Sequence, residues 1–518
     1  MAILSITMEI ALEEVPIYAG GLGVLEGDKF YAMARKGLEY YVITLFHRNG
    51  YVEYEYRDGS FIEKDQEPVI SQIEGKLKKE KELAVTTKLY GEIRVEPLVY
   101  EMGKAKAIYL KPVYPDNIAY IARRLYIEDS PEQAITKYIV LARSSAQYIR
   151  ERIGVDKIEY IDLQESNASL AALALKEIRD RVRLVIHTPG PWGHPMIPGE
   201  IVGKEFEVDV GSGLKRLTDI VLDHVERGYA VSRKHLETLS RIFPQHYWKL
   251  SYVRNGVDLD RWSHKEIKSL ASKGLRNIGL YEFKRARDSA REDLISLLRS
   301  KKPGVRVGRA IVAWARRITR YKRPYLVERL IGELGRELDV TFVLAGKAHP
   351  RDGDGREMMM RFRKLHEEMD NVVYIYDYGL EEARTILSGA DLLLFTPFPG
   401  WEACGTSYMK AGINGVPTLS SRDGGVLETI IDRYNGWLFG LEVTQFINIY
   451  EDTASVSKID EEDYRDLRKK LIEILSIIEK DLDIYLEISL NALKSFRISS
   501  DIYRALEEYG YIRGARAS

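Results

Sequence analysis

Three clusters in this chain hold residue types that do chemistry when brought together. Between a β-like start, MAILSITME, and a helix-like run, GDKFYAMARKG, lies Gly20-Gly21-Leu22-Gly23. Glycines at a strand-to-helix junction let backbone N–H groups approach an anion, and the helix dipole favours negative charge there. The dinucleotide fingerprint GxGxxG is absent, so a plain tight turn accounts for the loop equally well. The second cluster is Arg316-Arg317-Ile318-Thr319-Arg320-Tyr321-Lys322-Arg323, five cations in eight residues directly after the apolar run RAIVAWA. Such cations repel one another unless anions or solvent screen them, and guanidinium matches phosphate in shape and charge. The cluster therefore reads as a phosphate or diphosphate site, set against the plainer reading of a solvated basic helix start. The third cluster, Glu402-Ala403-Cys404-Gly405-Thr406-Ser407-Tyr408-Met409-Lys410, follows the apolar strand ADLLLFTP. Lys410 opens a helical, apolar segment, MKAGINGVP. A partly buried amine loses its proton readily and can condense with an aldehyde, while Gly405 and Thr406 offer N–H groups and a hydroxyl to a phosphate. A lysine on a helix is ordinarily a solvated charge; its neighbours set this one apart.

The elements that must position these clusters alternate between strand and helix. KIEYIDL, ASLAALALKEIRD and RLVIHT form a βαβ-like unit, which favours a parallel sheet. A second series runs RAIVAWARR, a helix from Pro324 to Glu337, DVTFVLAG, a helix from Gly355 to Met369, NVVYIYDY, a helix from Leu380 to Ser388, ADLLLFTP and VPTLSS. Nearer the start, EYYVITLF and YVEYEY around Asn49-Gly50 read as a hairpin, residues from about Thr86 to Val113 alternate in a β manner, and Ser130-Pro131 opens a helix reaching Arg152. The pattern predicts an α/β fold of two Rossmann-like domains facing a cleft, a glycosyltransferase-B type of architecture. Its parts are residues 1–262, a charged helical connector over 263–305, a second domain over 306–456, and C-terminal helices over 457–518 packing back across both domains. Ligands in open α/β sheets sit at the carboxyl ends of the strands, where the polar, glycine-containing loops fall. Binding proteins and epimerases share this outline, so architecture alone does not choose a function.

The 518 residues carry 77 Lys+Arg against 78 Asp+Glu, and 45% are apolar. That excludes a disordered chain, and no apolar run approaches the roughly 18 residues of a membrane span. The net charge of −1 lacks the basic excess of non-specific nucleic-acid binders. One cysteine cannot form an intrachain disulfide, and MAILSITMEIALEEVP lacks the basic start of a secretory leader, so a cytoplasmic location is expected. Charged residues reach 30% and Asn and Gln together number 17, a composition typical of hyperthermophiles. HExxH, CxxC and Walker spacings are absent and no metal site is expected; Asp352-Gly353-Asp354 is DxD-like but reads as a solvated loop.

EACGTSYMKAGINGVPTLSSRDG resembles the pyridoxal-phosphate segment of the α-glucan (glycogen, starch, maltodextrin) phosphorylases, E-A-S-G-T, two variable residues, then M-K. IYAGGLGVLEGD resembles that family's glycine loop, RRLYIEDSPEQ its L-Y-G-G-D region, IHTPGPWGH its H-T-P-x-P-x-G-H segment, RNGVDLDRW its N-G-V segment, RRITRYKR its phosphate site and FVLAGKAHP its A-G-K-A-H-P strand. Order and spacing hold from about residue 5 to 425. The chain is short for the family, which implies trimmed N-terminal and surface elements. The resemblance implies reversible phosphorolysis of α-1,4-glucans to glucose 1-phosphate with retention, using pyridoxal 5′-phosphate. It makes Lys410 the Schiff-base lysine, with Arg316, Gly405 and Thr406 on the cofactor phosphate. It puts Arg317 and Lys322, helped by the backbone of Gly21, on orthophosphate. Asn255 and His187 fall on the glucosyl 6-hydroxyl and Glu402 on the 3-hydroxyl, with backbone N–H groups near Cys404 and Gly405 assisting. His194 and His349 match family positions without an assigned step. The partners implied are α-glucan and orthophosphate or glucose 1-phosphate, with no nucleic acid or membrane and room for a homo-oligomer.

The sequence also departs from the family. Asn167 stands where a histidine is usual, with Glu165 at the acidic position before it. Tyr408 replaces a small residue or asparagine, at a place where it could crowd the cofactor. GGVLETIIDRYNGWLFG, past Gly424, reads more like a nucleotide-sugar glucan synthase. The rival readings are a nucleotide-diphosphoglucose-dependent glucan synthase, which has no use for a cofactor lysine, and a silent carbohydrate-binding regulator, against which intact Lys410, Arg317, Lys322 and Glu402 argue.

Overall fold

Apolar runs bounded by glycine or polar turns become the central strands of two sheets, each in its own compact unit of the computed structural model, which describes residues 1–512. The first unit comprises Met1–Glu53, Asp65–Arg254 and Ala505–Ser518, the second Tyr54–Lys64 and Asn255–Arg504. In the first, strands β1 (Ala2–Ile6), β2 (Tyr40–Leu45), β3 (Gly91–Met102), β4 (Ala105–Tyr114), β5 (Ile158–Gln164), β6 (Val182–Val185), β7 (Arg227–Ala230) and β8 (Leu250–Tyr252) lie in the order β8-β7-β6-β5-β1-β2-β4-β3. Pairing is parallel from β8 through to β4, and only then does β3 return antiparallel. Because β1 is flanked by β5 and β2, the order reverses at β1, and the loops after β1 and β5 diverge to form a crevice at their carboxyl ends. Helix α1 (Gly21–Arg35) starts beyond that point, and α2 (Pro131–Tyr148) opens as its sequence predicts, the Ser130 hydroxyl accepting from the Gln133 N–H with proline in the first turn.

The second unit repeats the scheme in a six-stranded sheet whose pairings are all parallel. Strands β9 (Ala310–Ala315), β10 (Val340–Ala345), β11 (Val372–Ile375), β12 (Leu392–Phe395), β13 (Thr418–Ser421) and β14 (Trp437–Phe439) lie in the order β11-β10-β9-β12-β13-β14. That is the 3-2-1-4-5-6 order of a Rossmann sheet, with its switch point between β9 and β12. Both strands are buried along their whole length, as a sheet covered on two faces requires. Around it pack α3 (Leu280–Lys301), α4 (Pro324–Leu334), α5 (Gly353–Glu368), α6 (Leu380–Gly389), α7 (Ser407–Gly412), α8 (Thr453–Lys480) and α9 (Leu482–Ser499). The α/β plan of two parallel-dominant, Rossmann-like sheets is the one the strand–helix alternation predicts. No helix among the described residues is long and apolar enough to cross a membrane.

Three local expectations give way. The Asn49-Gly50 turn does not join a hairpin: β2 pairs in parallel with β1 and β4, while Tyr54–Arg57 pairs with Ser60–Glu63 around Asp58-Gly59. Both Asp58 (φ 50°) and Gly59 (φ 77°) are left-handed, as a two-residue hairpin turn demands. ASLAALALKEIRD is not one helix; it divides into Ser166–Ser169, Ala171–Ala174 and a 3-10 stretch, Lys176–Arg181, and where the second piece ends the Ala174 carbonyl accepts from Arg150 (2.6 Å). The 263–305 segment is helical but belongs to the second unit, where Arg291 of α3 pairs with Asp391 (3.1 Å) and Arg287 donates to the Ser388 and Ala390 carbonyls. The division between units falls at Arg254/Asn255 rather than at 262, and the last described residues return to the first unit.

Candidate active site

The second unit gathers most of the sequence-selected residues at the carboxyl ends of β9 and β12. Arg316 follows β9 directly, and its buried guanidinium lies over the Phe395 ring (4.0 Å) at the end of β12. Its Nη2 donates to Glu402 (2.5 Å), while Nε and Nη1 are buried without a partner. A buried guanidinium with two unpartnered nitrogens demands an anion or water. Gly346, after β10, makes room for this turn: at φ 138° its α-carbon is so close to the Arg316 carbonyl that a Cβ would stand 2.0 Å from it. Arg317 is exposed and reaches the Tyr321 hydroxyl. Burial of its amine, then the neighbouring Arg316, pushes the Lys322 ammonium well below the ordinary lysine range. The basic run is thus only partly a solvated surface: Arg316 and Arg323 are buried, while Arg317 is exposed.

Across the switch point, Glu402 is fixed at both ends, its side chain by Arg316 and its N–H by Asp423 (2.7 Å), a carboxyl that burial pushes up to about 7. Cys404 is buried, and its carbonyl accepts from the Asn255 side chain (2.9 Å), which leaves the amide oxygen of Asn255 as an acceptor. Gly405 has no room for a side chain: a Cβ would lie 2.7 Å from Phe395 and 3.0 Å from Glu402. Thr406 stands at the N-terminal end of α7 without a side-chain capping bond to it, and one turn on, the buried Lys410 amine sits 3.8 Å from the centre of the Trp262 ring. Asn414 latches this pair, its amide donating to the Lys410 and Trp262 carbonyls (2.8 Å each). Tyr408 is fully buried between Phe395 and Phe496. Residues two apart on a helix point to nearly opposite sides, so this ring is turned away from Lys410. A buried amine on an aromatic face, an orphaned guanidinium and a glycine where no Cβ fits suit an aldehyde cofactor with an anionic group, and pyridoxal 5′-phosphate has that chemistry. Trp262, Asn414, Asp423 and Gly346 are not singled out by the sequence, although each lies inside a motif quoted above.

Gly21 and His187 stand in the first unit. No atom lies within 4 Å of where a Cβ on Gly20 or Gly21 would be, so the backbone there is open to a ligand. The preceding N–H groups of Ala19 and Gly20 already hold an internal anion, the carboxylate of Glu9 (2.6 and 3.1 Å). His187 follows β6; its ring meets Gln164 (2.8 Å), and its N–H donates to Glu165 (3.1 Å). Burial, then Lys29 and His235, push its pKa well below the ordinary value, so the ring is neutral at physiological pH. Burial pushes Glu165 up to about 8. His194 bonds Thr218 (2.8 Å), and His349 accepts from the Arg351 N–H (3.0 Å). Asp352 caps α5 by accepting from the Gly355 N–H (2.9 Å), which accounts for the DxD-like text, and no group of three or more His, Cys, Asp or Glu among the described residues is arranged to hold a metal ion.

Residues 338–513 match the family model described as carbohydrate phosphorylase. The chain is 27% identical to a maltodextrin phosphorylase of Thermococcus litoralis, over 85% of this chain and 62% of that protein. It is 26% identical to a glycogen phosphorylase of Aquifex aeolicus, over 82% of this chain and 74% of the relative, and 24% identical to a glycogen phosphorylase of Mycobacterium bovis, over 83% and 61%. The chain thus spans less than two thirds of the length of the first and third of these relatives.

Proposed function

We propose that this chain, a relative of the carbohydrate phosphorylases, is an α-glucan phosphorylase that transfers a terminal glucosyl unit from an α-1,4-glucan to orthophosphate, with retention. The observation that carries the reading is the presence at one switch point of a buried amine, Lys410 on Trp262, and a buried guanidinium, Arg316, that has two nitrogens without a partner. Lys410 would hold pyridoxal 5′-phosphate by its aldehyde carbon, with Arg316, Gly405 and Thr406 on its phosphate. When bound, that group supplies a phosphate able to exchange a proton with orthophosphate. Arg317 and Lys322 take the substrate phosphate and offset the repulsion between two anions, which is strong at short range in a desolvated site. Asn255 and the neutral His187 accept from sugar hydroxyls, and Glu402, fixed by Arg316 and Asp423, accepts from another. No carboxylate pair flanks the scissile bond in this scheme, because orthophosphate protonates the glycosidic oxygen and then captures the anomeric carbon.

Borohydride reduction of the holoprotein followed by peptide mapping tests the reading: a pyridoxyl adduct is expected on Lys410, and its absence after incubation with excess cofactor overturns the proposal. Maltodextrin with phosphate should yield glucose 1-phosphate, whereas a nucleotide-glucose with a glucan primer should give no elongation; the opposite pattern identifies a synthase.

A further inference from the structure

Glu165 has a backbone conformation that side-chain-bearing residues rarely adopt, φ 69° and ψ 165°. It follows Gln164, the last residue of β5, and in a regular strand these two side chains would point to opposite faces. The left-handed turn brings both to the same neighbour. Gln164 meets the His187 ring at Nε2 (2.8 Å), while Glu165 accepts from the His187 N–H (3.1 Å) and the Thr188 hydroxyl (2.8 Å).

The proton positions in this clamp follow from a buried chain of hydrogen bonds behind it. Lys29 donates to Glu26 Oε1 (2.6 Å), and the Ser5 hydroxyl donates to Glu26 Oε2 (2.6 Å). With its proton committed there, Ser5 can only accept from the Gln164 amide nitrogen (3.1 Å). The Gln164 oxygen must then face His187, and the ring nitrogen that meets it, Nε2, must carry the hydrogen. We infer that Gln164 is a positioning residue that holds His187 as its neutral Nε2–H tautomer, with Nδ1 kept as an acceptor for a donating hydroxyl of the substrate, while Glu165 fixes the His187 backbone. The substrate part of this inference rests on the phosphorylase reading; the tautomer part does not. The charged and titratable groups acting on the ring are Lys29 of α1 and His235 of the helix Arg233–Ile242, which together with burial disfavour imidazolium, while Glu165 after β5 meets the His187 backbone N–H.

Nitrogen NMR of the full chain labelled in its histidine rings reads the tautomer directly, with the His187 signals identified by their loss in His187→Asn. Between pH 6 and 8 the wild type should show one neutral form protonated at Nε2. In Gln164→Leu the ring should lose that single form. In the near-isosteric Gln164→Glu, a carboxylate at Nε2 should raise the ring's pKa so that imidazolium appears by about pH 6. If Gln164→Leu does not fold, Gln164→Glu decides alone. Unchanged His187 signals in a folded variant overturn the inference, whatever the enzyme catalyses. In phosphorolysis assays, Gln164→Glu should move the acid limb to higher pH than in the wild type, and Gln164→Leu should lose roughly tenfold in kcat/KM, the loss of one hydrogen bond to a neutral partner. A wild type that does not phosphorolyse glucan overturns the functional reading and leaves the spectroscopic test of the clamp standing.

Discussion

Lys322 is the residue on which the electrostatics of the site turn. Its folded pKa lies below that of a free lysine because burial and Arg316 both disfavour the ammonium. Between the two values the folded protein binds fewer protons than the unfolded chain, so stability rises with pH across that window. A bound anion reverses this locally by restoring the ammonium, which means that binding takes up a proton. Sulfate, whose charge is constant over this range, should bind with net proton uptake and weaken as pH climbs from neutral toward about 10. Titration calorimetry in buffers of different ionisation enthalpy measures the uptake; Lys322→Arg, charged throughout, should abolish it, and an identical uptake in that variant rules Lys322 out as the source. The residues legible in the sequence were those whose chemistry is local to a motif: Lys410 in the M-K pair, and Arg316, Arg317 and Lys322 in the basic run. Trp262 and Asn414 were not, because the contact of Trp262 with Lys410 spans 148 residues and the bond from Asn414 to the Trp262 carbonyl spans 152, which only the folded chain creates. Glu165 was visible as an acidic residue, but its strained backbone, worth about 1–3 kcal/mol, has no signature in residue type.

At the scale of elements, the basic loop after β9 is held in place by Arg323. This residue is fully buried in a left-handed conformation (φ 49°), and its guanidinium donates to the carbonyls of Thr396 (2.9 Å) and Pro397 (3.0 Å) after β12. It also pairs with Asp460 (3.1 Å) and Asp463 (2.8 Å) on α8, so one side chain ties the anion loop, the end of β12 and a C-terminal helix together. Replacing it with methionine leaves Asp463 buried without its cation. Arg323→Met should therefore cost about 3–5 kcal/mol in urea unfolding and weaken anion binding as the loop loosens. A variant with wild-type stability contradicts the anchoring role. The strands of this unit were legible because each is an apolar run bounded by polar turns, a pattern that survives any tertiary context. Turns were less so. Asn49-Gly50 and Asp58-Gly59 are both strong hairpin signals, and only the second closes one, because β2 has parallel partners on both sides and no edge left for the strand after Asn49-Gly50.

The chain as a whole does not divide into consecutive domains, and this has a mechanical consequence. The first unit is completed by residues from Ala505 on, after the 250 residues of Asn255–Arg504 have built nearly all of the second. The sequence reads residues 457–518 as helices packing back across both domains; α8 and α9 belong to the second unit and the chain from Ala505 to the first. The closing segment carries Tyr509 and Tyr511 to a buried pair between β5 and β6, where Arg183 grips Asp162 through two bonds (2.6 and 3.0 Å). Arg183 also donates to the Tyr509 carbonyl (2.8 Å), and the Tyr511 hydroxyl donates to Asp162. The rings of Tyr509 and Tyr511 stack (5.5 Å), with the Arg183 guanidinium over the Tyr511 ring (5.5 Å). An ion pair removed from water is stabilising only while its remaining hydrogen-bonding groups are satisfied. Truncation after Arg504 removes both satisfying groups together with two buried aromatic rings, at a cost on the order of 3 kcal/mol or more from the hydrogen bonds and ring burial. Hydrogen exchange should then show faster opening of β5 and β6, in the first unit, while β9 and β12 in the second keep their protection. Equal protection of β5 and β6 with and without the segment would mean that the first unit closes on its own and that the returning chain is an accessory to it.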